Sequence, residues 1–443
     1  MYLCIIALFI NLFKGYTAFA MPNTTQKFLV QGGKTLNGTV TVSGSKNAAL
    51  PILCAALLTG EKCEITNVPD INDIHNLLKL FSYLNVKTDF QDGTVHIDAS
   101  GLQMGDIPKD LACLMRASIL MAGPLLGRLD EVKMPFPGGC VLGKRPIHAH
   151  THALKELGSE VIDESKFLHI KRDKPRSARI IMPEVSVTGT ENALMLAAVT
   201  PGTTEIRLAA AEPHVQDLCH FLNKMGAKIE GIGTHFLTIE GVNELHGATH
   251  AITGDYLEAG TFAIAGLVTR GDIKIQGIQT SQLDSFWEKL EEANASYELK
   301  ADEIHIKPNG KLNAIQNLRT AVYPSFATDL QAPFAVLLTQ AEGESTIFET
   351  LFDGRLQYLY ELEKMGAKVE VLNPHQATIT GPTKLTGVPI SSLDLRAGAA
   401  MVLAALCAEG TTEISNINYI DRGYENLEGK LTSLGASIER IEA

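Results

Sequence analysis

Gly202-Thr203-Thr204-Glu205-Ile206 leads through Glu212-Pro213-His214-Val215 to Met225-Gly226-Ala227. A glycine turn feeds a β-branched strand. A helix follows, with apolar residues at Val215, Leu218, Cys219 and Leu222, and it ends at a Gly turn. Counted back from Met225, these offsets of ten, seven, six and three trace one stripe of a 3.6-residue helix. The same unit recurs along the chain. The closing turn returns at Leu84-Asn85-Val86, Leu157-Gly158-Ser159, Ala293-Asn294-Ala295, Met365-Gly366-Ala367 and Leu434-Gly435-Ala436. Successive middle residues lie 73, 68, 68, 72 and 69 apart. The glycine turn before the strand returns at Gly60, Gly127, Gly271, Gly343 and Gly410. Two markers kept in order six times describe a sixfold repeat of about seventy residues.

Each repeat reads as helix, turn, strand, helix, turn, strand, with one more strand to close it. The first helix is apolar nearly all round, as in 48–58 and 397–408, so it is buried. Helices inside and sheets outside invert the usual α/β layering. Six repeats divide into two domains of three: 46–253, and 21–45 together with 254–443. Strands near 27–31 and 39–43 precede the first repeat and most simply complete the last one.

Of 443 residues, 45% are hydrophobic and 20% charged, which describes a folded chain. The net charge of −12 argues against broad nucleic-acid binding. The seven cysteines show no C-x-x-C spacing, which speaks against a disulfide framework or zinc site and for a reducing compartment. The first twenty residues stand apart as an extra segment. The apolar run 2–13 is too short to span a bilayer and has no basic residues before it, so Met21 is the expected true start; the rival is an export signal, since Ala18-Phe19-Ala20 imitates a signal-peptidase site.

The repeat exposes a pattern of charge. The buried first helices open at Lys46-Asn47, Arg116, Glu191-Asn192, Glu258, Asp329 and Arg396. Arg145, Arg355 and Arg422 stand at or just before second helices. An acid at a helix start serves as a cap, and Glu191 and Glu258 read that way. A cation there opposes the helix dipole. Lys46, Arg116, Arg145, Arg355, Arg396 and Arg422 therefore read as a set for a strongly anionic ligand. The alternative is interdomain salt bridging to Asp329, Asp394, Asp421 and Glu425. Cys140 lies in the Pro/Gly-rich loop 135–146, five residues before Arg145, where nearby cations favour its thiolate. The triplet His148, His150 and His152 imitates a metal cluster, but His150 takes a core-facing helix position and no third ligand is evident.

These residues resemble a family. Ser43-Gly44-Ser45-Lys46-Asn47-Ala48-Ala49, Met115-Arg116-Ala117-Ser118, Pro137-Gly138-Gly139-Cys140, Gly143-Lys144-Arg145-Pro146, Thr328-Asp329, Asp394-Leu395-Arg396-Ala397 and Asp421-Arg422-Gly423-Tyr424-Glu425 are similar to the enolpyruvyl transferases that act on UDP-N-acetylglucosamine. The resemblance runs from about Phe28 to the C-terminus. It implies a two-domain inside-out α/β barrel with substrate between the domains. The implied reaction moves enolpyruvyl from phosphoenolpyruvate to the 3′-hydroxyl of UDP-N-acetylglucosamine and releases phosphate, as the first committed step of peptidoglycan synthesis. It implies a cytoplasmic enzyme, expected to be a monomer, with no metal or cofactor and no nucleic-acid or membrane partner. By the resemblance Cys140 is the acid at C3 of phosphoenolpyruvate and the point of attack by the epoxide fosfomycin. Asp329 is the candidate base. Lys46, Arg145 and Arg422 hold phosphate and carboxylate, with Arg116, Arg355 and Arg396 in support. Asn47, Pro146, Ile147, His148, Ala149, Ser186, Val187 and Leu351 match substrate contacts. His148, Glu184 and Tyr419 depart from the family pattern. The rivals are a shikimate-phosphate enolpyruvyl transferase, whose Leu-x-x-Gly-x-Ala-Gly-Thr-Ala pattern is absent, and a non-catalytic UDP-sugar-binding paralogue.

Overall fold

The six recurring turns have one physical cause. Asn85, Gly158, Gly226, Asn294, Gly366 and Gly435 all take positive φ, between 56° and 106°. Only Gly, and after it Asn, ends a helix there at little steric cost. The computed structural model describes residues 26–138, 146–163, 167–308 and 310–442. The extra segment 1–20, Met21, and the loop residues Cys140, Lys144 and Arg145 lie outside the described residues.

The fold is mixed α/β, with helices at the centre and sheets around them. Among the described residues there are six sheets, five of four strands and one of three. Each second helix buries its predicted stripe: Ile74, Leu77, Leu78 and Phe81 in Asn72–Tyr83, and Val215, Leu218, Cys219 and Leu222 in Pro213–Lys224. First helices such as Tyr256–Val268 and Leu395–Cys407 are buried along nearly their whole length. They pack on one another and on Gln331–Thr339. Fully burying one Leu or Phe there is worth about 1.5–3 kcal/mol. The apolar side chains gather into two clusters. One spans residues 48–252, hereafter the first lobe; the other joins 28–42 to 256–436, the second lobe. No helix among the described residues is long and apolar enough to cross a membrane.

The leading strands correct one expectation. Gln26–Gln31 does complete the last repeat, pairing antiparallel with Thr411–Ser415 and Ser437–Glu442. Asn37–Thr41 does not; it pairs in parallel with Asp272–Gln276 of the fourth repeat. Its counterpart Thr249–Ala251 pairs in parallel with Lys62–Thr66 of the first repeat. Each of these strands precedes a helix of one lobe yet pairs in a sheet of the other. The exchange brings the two chain crossings together as a Gly44–Gly254 bridge. A Cβ at Gly44 would lie 1.7 Å from the Asn67 carbonyl oxygen, and one at Gly254 1.8 Å from that of Gly277. Only glycine permits so close an approach.

The acidic helix starts need a second correction. Ser186 and Asp255 provide the caps: the Ser186 hydroxyl accepts from the Gly189 amide, and Asp255 accepts from the Leu257 and Glu258 amides. Glu191 lies inside Val187–Ala198, buried, and burial followed by the nearby Glu212 pushes its carboxyl well up. Glu258 is buried against Lys430 at 2.5 Å. Glu258 does stand in the first turn of its helix, where an acid suits the dipole, but it is not the cap; Glu191 lies beyond the first turn.

Candidate active site

Lys46 is the first residue of Lys46–Ala55, and Arg422 closes the 3-10 turn Ile417–Arg422. They belong to different lobes, and Asp73 joins them. The Asp73 carboxylate lies 2.7 Å from Lys46 Nζ and accepts from Arg422 Nε at 2.9 Å and Nη2 at 3.3 Å. Asp73, Lys46 and Arg422 are only 2%, 8% and 7% exposed. Burial works to raise the Asp73 carboxyl, but Lys46 and Arg422 outweigh it and hold the group below its ordinary range. These three side chains carry two positive charges against one negative, where water screens little.

A second group forms around Asp329 in the turn before Gln331–Thr339. Arg355 Nη2 donates to one oxygen at 2.6 Å and Arg396 Nε to the other at 3.2 Å. Burial would lift the Asp329 carboxyl, yet the two guanidinium groups hold it far below the carboxylate range. The Arg396 head lies 5.1 Å from the centre of the Tyr424 ring. Burial works to lower the Arg396 guanidinium, but Tyr424 and Asp329 outweigh it and raise it. Tyr424 follows Arg422 by two residues, so the two groups share one chain segment. From the first lobe, His214 is buried and stacks on Tyr256. Burial pushes its imidazole down to about 4, against the pull of Asp329 and Asp217.

The structure therefore brings together Lys46 with Arg422, and Asp329 with Arg355 and Arg396. Arg116 donates to the Pro146 carbonyl at 2.9 Å, which anchors the end of the loop segment. Ile147 and Ala149 are buried, whereas His148 is exposed and stacks on His152. The Ser186 hydroxyl is engaged with the Gly189 amide at 3.3 Å. Asn47 and Val187 are half-buried, and Leu351 is exposed. Tyr419 lines a cavity of about 160 Å³ with Arg355, Asp394 and Asn416. Cys140 and Arg145 lie outside the described residues. His150 faces the core as expected. Its Nδ1 meets the Asn192 amide nitrogen at 2.8 Å and its Nε2 the Thr188 hydroxyl at 3.0 Å, and burial lowers it to about 3, with Arg116 contributing. No three His, Cys, Asp or Glu side chains come together to hold a metal among the described residues.

Sequence reasoning missed Asp73. An acid in the first turn of an amphipathic helix looks like an ordinary dipole partner. The available signal was a buried register: Asp73 directly precedes the apolar stripe that starts at Ile74. The interdomain salt bridges are not what these acids make: Asp329 takes Arg355 and Arg396, and Asp421 pairs with Arg440 at 2.8 Å, all within the second lobe. Asp394 instead caps its own helix, accepting from the Arg396 and Ala397 amides.

Comparison with known proteins places this geometry. The family model of EPSP synthase (3-phosphoshikimate 1-carboxyvinyltransferase) matches residues 30–431. A UDP-N-acetylglucosamine 1-carboxyvinyltransferase of Methylacidiphilum infernorum is 44% identical over 419 residues, covering 94% of this chain and 99% of that protein. The crystal structure of the enolpyruvyl transferase NikO from Streptomyces tendae superposes with a TM-score of 0.86 at 25% identity, over 95% of this chain and 100% of the other. The EPSP synthase of Acinetobacter baumannii shares the fold, with a TM-score of 0.73 at 18% identity over 94% of this chain and all of that one. With its sixfold repeat, its two lobes and a cationic cluster bridging them, the chain belongs to the enolpyruvyl transferase family.

Proposed function

We infer that this chain transfers the enolpyruvyl group of phosphoenolpyruvate to the 3′-hydroxyl of UDP-N-acetylglucosamine, the entry step of peptidoglycan synthesis. The observation that carries the reading is the buried Lys46–Asp73–Arg422 cluster, which holds net positive charge between the lobes. The 44% identity to a UDP-N-acetylglucosamine 1-carboxyvinyltransferase supports the choice of acceptor over shikimate phosphate. Lobes 46–253 and 21–45 with 254–443 serve as the two domains, and the anionic substrates bind between them.

In the reaction the 3′-oxygen bonds to C2 of phosphoenolpyruvate while C3 gains a proton. C3 then loses a proton, the C2–O bond to phosphate breaks, and inorganic phosphate leaves. Lys46, Arg145 and Arg422 bind the phosphate and carboxylate and stabilise the charged intermediate. Cys140 is the acid toward C3. Asp329 takes the hydroxyl proton, a role that constrains its neighbours. A carboxylate gripped by two arginines is a weak base. Substrate oxygens that draw Arg355 and Arg396 away raise its basicity, so the base is switched on by binding. Arg116 and Asn47 support the pocket, and the backbone of 146–149, Ser186, Val187 and Leu351 line the nucleotide side. The enzyme works as a cytoplasmic monomer, with no nucleic-acid or membrane partner.

The test is proton NMR of the reaction in heavy water. The reading predicts one phosphate released per acceptor consumed and deuterium in the methylene of the product. Phosphate release without label in that methylene would contradict the addition–elimination route.

A further inference from the structure

Ser43 stands next to the Gly44–Gly254 bridge, and all its polar groups are engaged. Its amide donates to Glu258 Oε2 at 2.8 Å, and its carbonyl accepts from the Asp255 amide at 2.9 Å. Its hydroxyl accepts from Lys430 Nζ at 2.6 Å and donates to Glu425 Oε2. Lys430 also donates to Glu258 Oε1 at 2.5 Å. The other oxygen of Glu425 accepts the Asp70 amide at 2.8 Å.

That last bond crosses between the lobes. Asp70 is three residues before Asp73, and Glu425 is three residues after Arg422. Two bonds between the same two chain segments therefore run side by side: Asp73 to Arg422 and Asp70 to Glu425. One attachment leaves a segment free to pivot; two fix its orientation. We propose that Glu425 is a positioning residue, a latch that ties the Arg422 segment to the first lobe and to the crossing at Ser43. This rests on the proposed function only in taking Arg422 as a phosphoenolpyruvate contact. Glu425 is dispensable to the crossing itself, because Glu258 and Lys430 stay paired without it. Its loss is therefore expected to spare the fold and loosen the pocket.

The test compares Glu425→Ala, Glu425→Gln and the parent by steady-state kinetics and by hydrogen exchange of the segment 67–73. A charge-assisted bond at a partly exposed site, worth about 1 kcal/mol, corresponds to roughly a fivefold change. Glu425→Ala is expected to raise KM for phosphoenolpyruvate about fivefold, with kcat within twofold, and to speed exchange at the Asp70 amide about fivefold. Glu425→Gln keeps an oxygen to accept that amide and is expected to restore both readouts to within twofold of the parent. Unchanged exchange in Glu425→Ala overturns the latch whether or not the protein turns over. Faster exchange with unchanged KM, or a loss confined to kcat, overturns the positioning role. Absence of turnover in the parent counts instead against the proposed reaction, and exchange then decides the latch alone.

Discussion

Replacing Asp73 by Asn tests the physical basis of the site. The side chain is almost the same size, but its charge is gone. Lys46 and Arg422 then remain nearly buried, with side chains 10% and 8% exposed, and without their shared anion. Removing one partner of a buried ion pair costs about 3–5 kcal/mol. The Asn oxygen can still accept one hydrogen bond, which places the expected loss near the lower end, about 3 kcal/mol. A mobile anion can fill the gap. Inorganic phosphate at a hundred times its Kd returns about 2.7 kcal/mol, and the binding no longer competes with a resident carboxylate. Urea unfolding followed by circular dichroism, with and without phosphate, reads both quantities. The variant is expected to be less stable without phosphate and to gain more from phosphate than the parent does. The pH dependence carries a sign as well. The folded carboxyl lies below its unfolded value of about 3.8, so its contribution is complete above that pH and fades as pH falls through the folded value. The gap between parent and variant is expected to close in that acid range. A variant as stable as the parent, or one that gains no more from phosphate, would refute the reasoning.

Three further outcomes follow from particular contacts. Glu191→Gln is expected to be more stable than the parent at pH 8 and to lose that advantage toward pH 4.5, by about 1.4 kcal/mol per pH unit while the buried carboxyl is protonated only in the folded state; parallel pH profiles in denaturant melts would contradict it. Gly254→Ala places a methyl group 1.8 Å from the Gly277 carbonyl oxygen, so the crossing must move; a loss of more than about 2 kcal/mol is expected, and an undisturbed melting curve would remove the close-approach argument. Asp329→Asn should lower kcat by at least about a hundredfold if the group takes the hydroxyl proton, and a kcat near that of the parent would leave Asp329 as an anchor for arginines only.

Much of the fold was legible because local stereochemistry writes it into residue choice. A helix that must end at positive φ selects Gly or Asn, so Gly226 and its five counterparts mark the repeat without reference to the rest of the chain. The helix stripes were legible for the same reason. The strand exchange was not, because a strand as short as Thr249–Ala251 carries no signal for its partner; the geometry of both lobes selects it. At the site, cations at helix starts identified Lys46, Arg355, Arg396 and Arg422, since a cation there opposes the dipole and an unexplained charge is conspicuous. Asp73 and Lys430 stayed hidden, because an acid in a first turn and a lysine in a last turn already suit the helix dipole. Glu191 misled for the converse reason: it resembled a cap, whereas it lies buried inside the helix, where burial and then Glu212 push its carboxyl up.

The central claim is the reaction, and phosphate release from phosphoenolpyruvate tests it most directly. The purified chain is to be given phosphoenolpyruvate with UDP-N-acetylglucosamine, with shikimate 3-phosphate, or with neither. The account predicts phosphate release with UDP-N-acetylglucosamine alone, in equal amount to the enolpyruvyl product. Folded protein that releases no phosphate with it, or that prefers shikimate 3-phosphate, would contradict the account.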